Sequence, residues 1–276
     1  MTNANAAFMD TIYKKIKAER NIDFSMYRNK LLERRVMVRV RATRCVGPRE
    51  YIRYLDAHPA EMDYLVDTMT INVTEFFRDS KVFDVIEKKI IPEMLLRKRG
   101  SGSTSIRVWS CGSSSGEEAY SVLMLLAEAL GPALARYKLT IFGTDIDGQA
   151  LAKAREGVYE ASQFARLSDE RKTLINRYFY DLSNERYWVR EEWPGYMDFR
   201  YHDVIADVPL NSMDMILCRN LFIYFGHDLQ VRITGRFYDS LDRGGFLVLG
   251  NVESLWGEVR DMFVEYDRGA RIYLKT

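Results

Sequence analysis

A turn with two glycines and two glutamates lies between two apolar runs in WSCGSSSGEEAYS, residues 109–121. Gly112 and Gly116 are separated by three residues, whereas a dinucleotide-binding turn follows GxGxxG. In an open parallel sheet, such a turn lets a ligand approach the backbone and the next helix N-terminus. Glu117 and Glu118 would repel a pyrophosphate but tolerate a cationic amine, as in S-adenosylmethionine. The alternative is that they only complement the helix dipole.

Polar residues at other predicted strand ends favour a nucleoside ligand. Asp145 and Asp147 follow the apolar run LTIFGT, and we expect Asp145 to accept hydrogen bonds from both ribose hydroxyls and Asp147 to cap the next helix. Asp203-Val204 and Arg219-Asn220 follow two further predicted strands. Because the carboxyl ends of parallel strands meet at one edge of a sheet, four strand ends point to one site.

A separate segment, INVTEFFRDSKVF at residues 71–83, places Asn72, Thr74 and Arg78 near two phenylalanines. We interpret Phe76 and Phe77 as core residues. An arginine beside buried aromatic rings usually has an anionic partner, and a ligand carboxylate is one candidate for Arg78.

The elements that must position these residues follow from periodicity. Residues 8 to about 69 show helical spacing, and from Ser105 short apolar runs alternate with amphipathic segments, which predicts a doubly wound parallel sheet. ERYWVRE and GYMDFRYHD are interpreted as short antiparallel strands of a small inserted subdomain, and KRGSGSTS, residues 98–105, as a linker. The predicted organisation is therefore a helical domain at 1–70, a connecting segment with the linker at 71–104, and an α/β domain at 105–276 with an insertion at about 179–200.

Composition limits the class of protein. The chain has 276 residues, is 47% hydrophobic and carries a formal net charge of +1, so any charge-driven binding must be local. Its three cysteines are far apart without a CxxC motif, which favours a reducing cytoplasm and no metal site. The N-terminal residues lack a secretion signal, and we expect no membrane insertion.

Four motifs, TINVTEFFR, WSCGSSSGEEAYS, FGTDID and CRNLFIYF, occur in an order and spacing that resemble the CheR family of bacterial chemoreceptor methyltransferases. The resemblance covers nearly the whole chain. It implies an α/β fold with a helical N-terminal domain and a Rossmann-like class I S-adenosylmethionine-dependent methyltransferase domain carrying a small antiparallel β-subdomain. It also implies transfer of a methyl group to glutamates on cytoplasmic chemoreceptor helices, which yields methyl esters and S-adenosylhomocysteine.

By motif position, the resemblance implies the following cofactor contacts: Asn72, Thr74, Arg78, Glu117, Asp145, Asp203, Val204, Arg219 and Asn220. Two departures are visible. Asp203-Val204 replaces the Asn-Leu of many relatives, and Asp can accept from an adenine amino group but cannot donate. The family's GHSE is here Gly250-Asn251-Val252-Glu253, which puts the role of this loop in doubt.

The implied reaction requires little acid–base chemistry, because a glutamate carboxylate is already ionised at neutral pH and a sulfonium is an activated leaving group. Alignment and desolvation are the main requirements. From their placement at and after a strand end, Arg219 and Tyr224 are candidate catalytic residues that orient the incoming carboxylate.

A basic cluster offers a docking surface for an acidic partner. Between Arg28 and Arg49 lie eight basic residues and the single acid Glu33, a local charge of +7. A solvated helix face is the alternative interpretation. The residues we expect to dock the receptor helix are Arg34, Arg35, Arg39 and Arg41.

Some relatives bind a receptor's C-terminal pentapeptide through a glycine-rich loop of the β-subdomain. The corresponding residues 181–188, DLSNERYW, contain no glycine, so we expect no pentapeptide tether. The predicted protein is a cytoplasmic monomer that binds no nucleic acid. Two alternatives stay open: an S-adenosylmethionine-dependent enzyme acting on another acceptor such as nucleic acid, and a non-catalytic sensory protein that binds the same cofactor.

Overall fold

The computed structural model describes residues 3–27, 29–70 and 72–276. The chain divides into two compact units, one of Met1–Asn72 with Ile223–Leu229 and one of Val73–Phe222 with Gln230–Thr276. The described residues form these α-helices: α1 (Asn3–Arg20), α2 (Asn29–Ala42), α3 (Pro48–Ala57), α4 (Pro59–Met69), α5 (Ser80–Val85), α6 (Ile91–Ser101), α7 (Glu117–Leu130), α8 (Gly148–Glu156), α9 (Asp169–Tyr178) and α10 (His227–Ser240). They form these strands: β1 (Ser105–Cys111), β2 (Lys138–Asp145), β3 (Val158–Glu160), β4 (Phe179–Asp181), β5 (Arg186–Val189), β6 (Met197–Tyr201), β7 (Met213–Cys218), β8 (Leu241–Leu249), β9 (Phe263–Asp267) and β10 (Ile272–Lys275).

Helices α1 to α4 form the first unit. Their apolar residues recur at the predicted helical spacing and lie inside the unit, with Ile12, Ile16, Val36 and Leu65 fully buried. The predicted helical N-terminal region is therefore present, and its stability depends on this shared apolar interior.

A seven-stranded sheet in the order β6-β2-β1-β7-β8-β10-β9 organises the second unit. The first five strands in this order are parallel, while β10 is antiparallel to both of its neighbours. The parallel pairing brings the carboxyl ends of β1, β2, β6, β7 and β8 to one edge. This arrangement confirms the predicted Rossmann-like fold class.

Helix α7 lies in the core of the second unit. Apart from Glu118, Glu128 and Ala129 its residues are buried, so its length and apolar character serve packing against the sheet. The stretch Glu117–Arg136 is the one described segment with the length and hydropathy of a membrane span, and 61% of its apolar window is buried within the protein. Such burial is typical of a core helix.

The predicted linker at residues 98–105 is wrong. Helix α5, a π-helical turn at Ile86–Ile90 and helix α6 follow one another without a break, so residues 98–101 are helical. Lys98 Nζ lies 2.5 Å from Asp214 Oδ1, and Asp214 also accepts a hydrogen bond from the Arg107 N–H at 2.9 Å. The glycine and serine content suggested flexibility, but the lysine anchors the end of α6 to β7.

The inserted sheet consists of β3, β5 and β4 in antiparallel order, spanning residues 158–189. The prediction of an insertion at 179–200 is wrong at its second half. Strand β6 pairs in parallel with β2, with Gly143 opposite Phe199, and so belongs to the large sheet. Short strands near a turn do not reveal their partner, because pairing depends on residues distant in sequence.

Lys98→Met should lower the free energy of unfolding by about 2–3 kcal/mol, because it leaves the Asp214 carboxylate buried without its cation. Burial already raises the pKa of Asp214, and Lys98 opposes that rise. Without the lysine, this pKa rises further. The loss of stability should then be largest at neutral pH and shrink as the pH falls and Asp214 becomes protonated.

Urea denaturation at several pH values measures this effect. Lys98→Arg should keep most of the stability, and Lys138→Met, a matched change at an exposed position, should have little effect. Equal losses in Lys98→Met and Lys138→Met would contradict the anchoring role of the buried pair.

Candidate functional site

The glycine turn after β1 is held against the end of β2. Gly112 and Gly116 have φ angles of 74° and 94°, in the left-handed region that favours glycine. The N–H groups of Gly112 and Ser113 both donate to the Thr144 carbonyl, at 2.8 and 2.9 Å. A Cβ atom at Gly116 would lie 3.0 Å from the Phe199 ring. Both glycines are therefore required by backbone conformation, and the second also by close packing.

Asp145 at the end of β2 is tied to this turn. Its carboxylate accepts the Ser114 N–H at 2.9 Å and the Asp147 N–H at 3.0 Å. Burial raises the pKa of Asp145, and these two N–H bonds oppose the rise. The Ile146 N–H also bonds this carboxylate. Since a carboxylate has about four lone-pair positions, one stays available for a ligand hydroxyl. Asp147 caps α8 as predicted, since its carboxylate accepts the first N–H groups of that helix.

A buried hydroxyl in the turn indicates a polar ligand. The Ser113 side chain is 2% exposed, and in the described part of the chain its Oγ has no hydrogen-bond partner. A Cβ atom on Gly143 would lie 3.1 Å from this oxygen. The Phe199 ring lies 2.4 Å from the same Cβ position and fills the space at Gly143. Since buried polar groups are nearly always hydrogen-bonded, the unpartnered hydroxyl fits a site that a ligand or water completes.

Glu117, the first residue of α7, is buried at 1% exposure. Its carboxylate accepts hydrogen bonds from the Ser115 hydroxyl at 2.9 Å, from Gln163 Nε2 at 2.8 Å and from the Thr74 side chain. Burial raises its pKa, and these bonds oppose the rise. This buried anion links the turn, the segment before α5 and the inserted region at a position suited to a cationic ligand group.

Glu118 has a different role from Glu117. It accepts a hydrogen bond from the Ser110 hydroxyl at 2.6 Å and pairs with Arg219 Nη1 at 3.1 Å. The other terminal nitrogen of Arg219 donates to Asp79 Oδ2 at 2.7 Å and to the Arg78 carbonyl at 2.8 Å. The interpretation that Glu117 and Glu118 only complement the helix dipole is therefore incomplete, because both carboxylates also bind specific side chains.

The Arg219 side chain is 1% exposed, with two protein carboxylates as partners. An incoming carboxylate would have to compete with both. These contacts support a positioning role, and they do not support the prediction that Arg219 orients the acceptor.

The segment before α5 is held in an uncommon backbone conformation. Phe77 and Asp79 have φ angles of 51° and 60°, which cost energy for residues with side chains. The Phe77 N–H donates to Ser121 Oγ at 3.0 Å, and Arg78 Nη1 donates to the Val73 carbonyl at 2.6 Å. Together with the Arg219 bonds, these contacts define one conformation of the segment.

Phe76 and Phe77 are buried at 2% and 3% exposure, which confirms that they are core residues. Their rings contact Tyr159 and Phe83 at centroid distances of 4.9 and 5.4 Å. The anionic partner expected for Arg78 is not among its described protein contacts. Its remaining N–H groups have no partner in the described part of the chain, so a ligand carboxylate is still a candidate.

Asp203 and Val204 lie beyond the end of β6 and are each 8% exposed. The Asp203 carboxylate accepts the Ile205 N–H at 2.8 Å, and the Asp203 N–H donates to Asp207 at the same distance. The Val204 carbonyl accepts from Arg236 at 2.7 Å. These bonds stabilise a local turn, and recognition of adenine by this pair stays a prediction.

Glu253 is the residue that sequence reasoning missed. It is 4% exposed, and its Oε2 accepts the N–H groups of Asn220 at 3.0 Å and Gly250 at 2.7 Å. It thereby joins the carboxyl ends of β7 and β8. A Cβ atom at Gly250 would lie 2.9 Å from the Asn220 nitrogen, so the glycine is needed there. The sequence showed that this loop departs from the family's GHSE, but it did not show that the Glu253 carboxylate binds two backbone N–H groups.

Two predicted site residues belong to the first unit. Asn72 ends the segment Met1–Asn72 of this unit and is exposed. Tyr224 is half-buried in a 3-10 turn at Phe222–Tyr224. Phe225 next to it forms an antiparallel bridge with Tyr27 of the same unit. The roles of Asn72 and Tyr224 stay predictions.

The four predicted docking arginines differ in their surroundings. Arg34 and Arg41 are exposed, Arg35 is half-buried, and none of the three pairs with an acid in the described residues. Arg39 instead binds Glu61 through two bonds of 2.9 and 2.7 Å. Glu61 is 5% exposed. Arg39 therefore joins α2 to α4, and its assignment to the docking surface needs correction.

Comparison with known proteins identifies the family to which both the helical region and the α/β region belong. Residues 72–269 match the model described as "CheR methyltransferase, SAM binding domain", and residues 9–70 match "CheR methyltransferase, all-alpha domain". The chain is 34% identical over 245 residues to the chemotaxis protein methyltransferase of Salmonella typhimurium, covering 85% of this chain and 79% of that protein. It is 30% identical over 240 residues to that of Listeria innocua, covering 87% of both. With chemotaxis protein methyltransferase 1 of Vibrio cholerae it shares 37% identity over 196 residues, 70% of this chain and 68% of that protein.

Asp145→Asn should weaken S-adenosylhomocysteine binding by about tenfold or more, because the amide has one acceptor oxygen where two are needed for the ribose and the turn. Isothermal titration calorimetry measures the affinity. Asp147→Asn, two residues away, is the matched control. It should keep its helix cap, because an asparagine oxygen accepts the same N–H groups, and leave the affinity unchanged. Equal affinity losses in both variants would contradict a direct contact by Asp145.

Asp79→Asn should weaken S-adenosylhomocysteine binding by about threefold to tenfold, since it removes one of the charges that pair with Arg219 and loosens the segment carrying Thr74 and Arg78. Asp84→Asn is the control, because Asp84 of α5 pairs with Arg171 of α9 and not with Arg219. An affinity that is unchanged in Asp79→Asn, or equally reduced in Asp84→Asn, would exclude this positioning role.

Proposed function

The chain belongs to the CheR methyltransferase family, and we propose that it transfers methyl groups from S-adenosylmethionine to glutamate side chains on the cytoplasmic helices of chemoreceptors. The products would be glutamate methyl esters and S-adenosylhomocysteine. Family membership makes it an S-adenosylmethionine-dependent methyltransferase of chemotaxis. The glutamate acceptor, the cytoplasmic location and the monomeric state are parts of the proposal.

The observation that carries the proposal is the junction of Asp145 with the glycine turn. Asp145 bonds the turn and keeps a lone-pair position available, and the same turn carries the Ser113 hydroxyl, which is buried without a described partner. A ribose diol and the polar atoms of a nucleoside would satisfy these groups. The residues present therefore fit the cofactor that the family uses.

Other predicted contacts can be assigned by chemistry. The negative charge of the buried Glu117 carboxylate suits the ammonium group of the methionine portion, and bonds from its own N–H and from Ser115, Gln163 and Thr74 hold the carboxylate in place. Arg78 has unpartnered N–H groups in the described residues and suits the cofactor carboxylate. Asp203, Val204 and Asn220 are assigned to the adenine side by motif position.

The cofactor supplies an activated methyl group, and the protein's task is to align it with an ionised carboxylate in a site without competing water. We assign no general base, because a glutamate is ionised at neutral pH. Arg219 acts by holding the segment 73–79 against α7. Tyr224 is assigned to the acceptor side, where its hydroxyl would donate to the incoming carboxylate.

Receptor docking is assigned to the basic face of α2. Arg34 and Arg41 are exposed, and neither pairs with an acid in the described residues. Unpaired cations on a folded surface attract an acidic helix and increase its rate of encounter. Arg35 contributes at the edge of this surface, whereas Arg39 serves the fold.

The shape of the β4–β5 hairpin supports a mechanism without a pentapeptide tether. Residues 182–185 form a tight loop in which Leu182 N–H donates to the Arg186 carbonyl at 2.9 Å. Ser183, Asn184 and Glu185 all have positive φ angles. A short loop without glycine is poorly suited to surround a peptide.

Replacing Arg34 and Arg41 together by Glu should raise the KM for a chemoreceptor cytoplasmic fragment by about tenfold, because it reverses the charge of the docking face. The measurement is transfer of radiolabelled methyl groups to the purified fragment, with alkaline release of methanol as proof of an ester. S-adenosylhomocysteine affinity should not change. Arg53→Glu, at an exposed position of α3 outside the basic cluster, should leave KM unchanged.

A wild-type protein that binds S-adenosylhomocysteine but labels no receptor fragment would contradict the proposed acceptor. Alkali-stable label, or label on nucleic acid, would indicate a different acceptor. Removal of the receptor's last five residues should leave the rate unchanged, and a large fall would show that a tether is used.

A further inference from the structure

We propose that a pocket lined by Arg260, Arg268 and Arg271 is a second docking site, which binds carboxylate side chains on the acidic helix of the acceptor protein. This inference rests on the proposed function and adds a contact surface in the second unit. It differs from the basic face of α2, which belongs to the first unit.

The pocket has a volume of about 400 Å³ and lies between the loop after β8 and the strands β9 and β10. Arg260 ends the 3-10 turn Gly257–Arg260, and Arg268 and Arg271 lie in the turn that joins β9 to β10. Arg260 and Arg268 are exposed, and Arg271 is half-buried. Two separate turns thus bring three guanidinium groups to one concave surface.

None of these arginines has a carboxylate partner within 4 Å in the part of the chain that the structure describes. The buried arginines of the same unit behave differently, since Arg171 and Arg219 each pair with two carboxylates. Asp261 and Glu265 line the same pocket without pairing with these arginines, so three cations and two acids leave the lining with a charge of +1. The group is therefore suited to an external anion.

The backbone holds Arg271 at the carboxyl edge of the sheet. Its φ angle is 54°, and its carbonyl accepts the Leu249 N–H at 3.0 Å while its Nε donates to the Asn251 carbonyl at 3.3 Å. Its terminal nitrogens have no partner among the residues that the structure describes. Leu249 and Asn251 flank Gly250, which Glu253 joins to Asn220, so the pocket borders the edge where the predicted cofactor residues lie.

The surroundings favour a protein helix over a compact polyanion. Asp261 and Glu265 also line the pocket and would repel a ligand with several negative charges on one group. Single carboxylates spaced along a helix could contact the arginines and avoid these acids. Val252 and Trp256 beside the pocket are 78% and 46% exposed, and they would cover the apolar side chains of such a helix.

Arg260→Glu and Arg268→Glu test the site without changing the more constrained Arg271. Each should raise the KM for a chemoreceptor cytoplasmic fragment by about fivefold and make KM less sensitive to salt, while kcat and S-adenosylhomocysteine affinity stay unchanged. Arg243→Glu is the matched control, because Arg243 is exposed near the amino end of β8 and lies outside the pocket.

Wild-type KM in both pocket variants, or equal increases in the Arg243→Glu control, would overturn the inference. A fall in S-adenosylhomocysteine affinity would also overturn it, because the pocket would then act on the cofactor. The proposed function fails separately, since its failure is the absence of methyl transfer by the wild-type protein to the same fragment.

Discussion

The buried guanidinium of Arg219 constrains the whole candidate site. A cation at 1% exposure is stable only if carboxylates and carbonyls replace its lost water. Here Glu118, Asp79 and the Arg78 carbonyl do so for the two terminal nitrogens, while Nε has no partner in the described residues. These partners come from α7 and from the segment before α5. One charge therefore ties together two elements that are distant in sequence, and the uncommon backbone angles of Phe77 and Asp79 persist because this pairing holds them.

Parallel strand pairing supplies the second constraint. It brings the ends of β1, β2, β6, β7 and β8 to one edge, where backbone N–H groups would otherwise lack partners. Asp145 and Glu253 each satisfy two of these groups and so fix the geometry of neighbouring strand ends. The same carboxylates that complete the fold thereby shape the surface on which a nucleoside can bind.

The arginines show how a nearly neutral chain separates folding from recognition. Arg39, Arg171 and Arg219 are paired with acids inside the units, where they connect helices and loops. Arg34, Arg41, Arg260 and Arg268 are exposed and have no acidic partner in the described residues. A net charge of +1 hides this difference, because it sums paired and unpaired charges alike. The unpaired arginines are consequently the ones available to an acidic partner.

Local pattern alone determined the helical N-terminal region, the alternating strands and helices, the glycine turn after β1 and the capping role of Asp147, because each depends on residues close in sequence. Only the tertiary structure decided which charges pair. Lys98 binds Asp214, Arg39 binds Glu61 and Arg219 binds Glu118 across gaps that no periodicity encodes. It also decided that β6 joins the large sheet, since strand pairing is a long-range choice made by burial and register rather than by the strand's own residues.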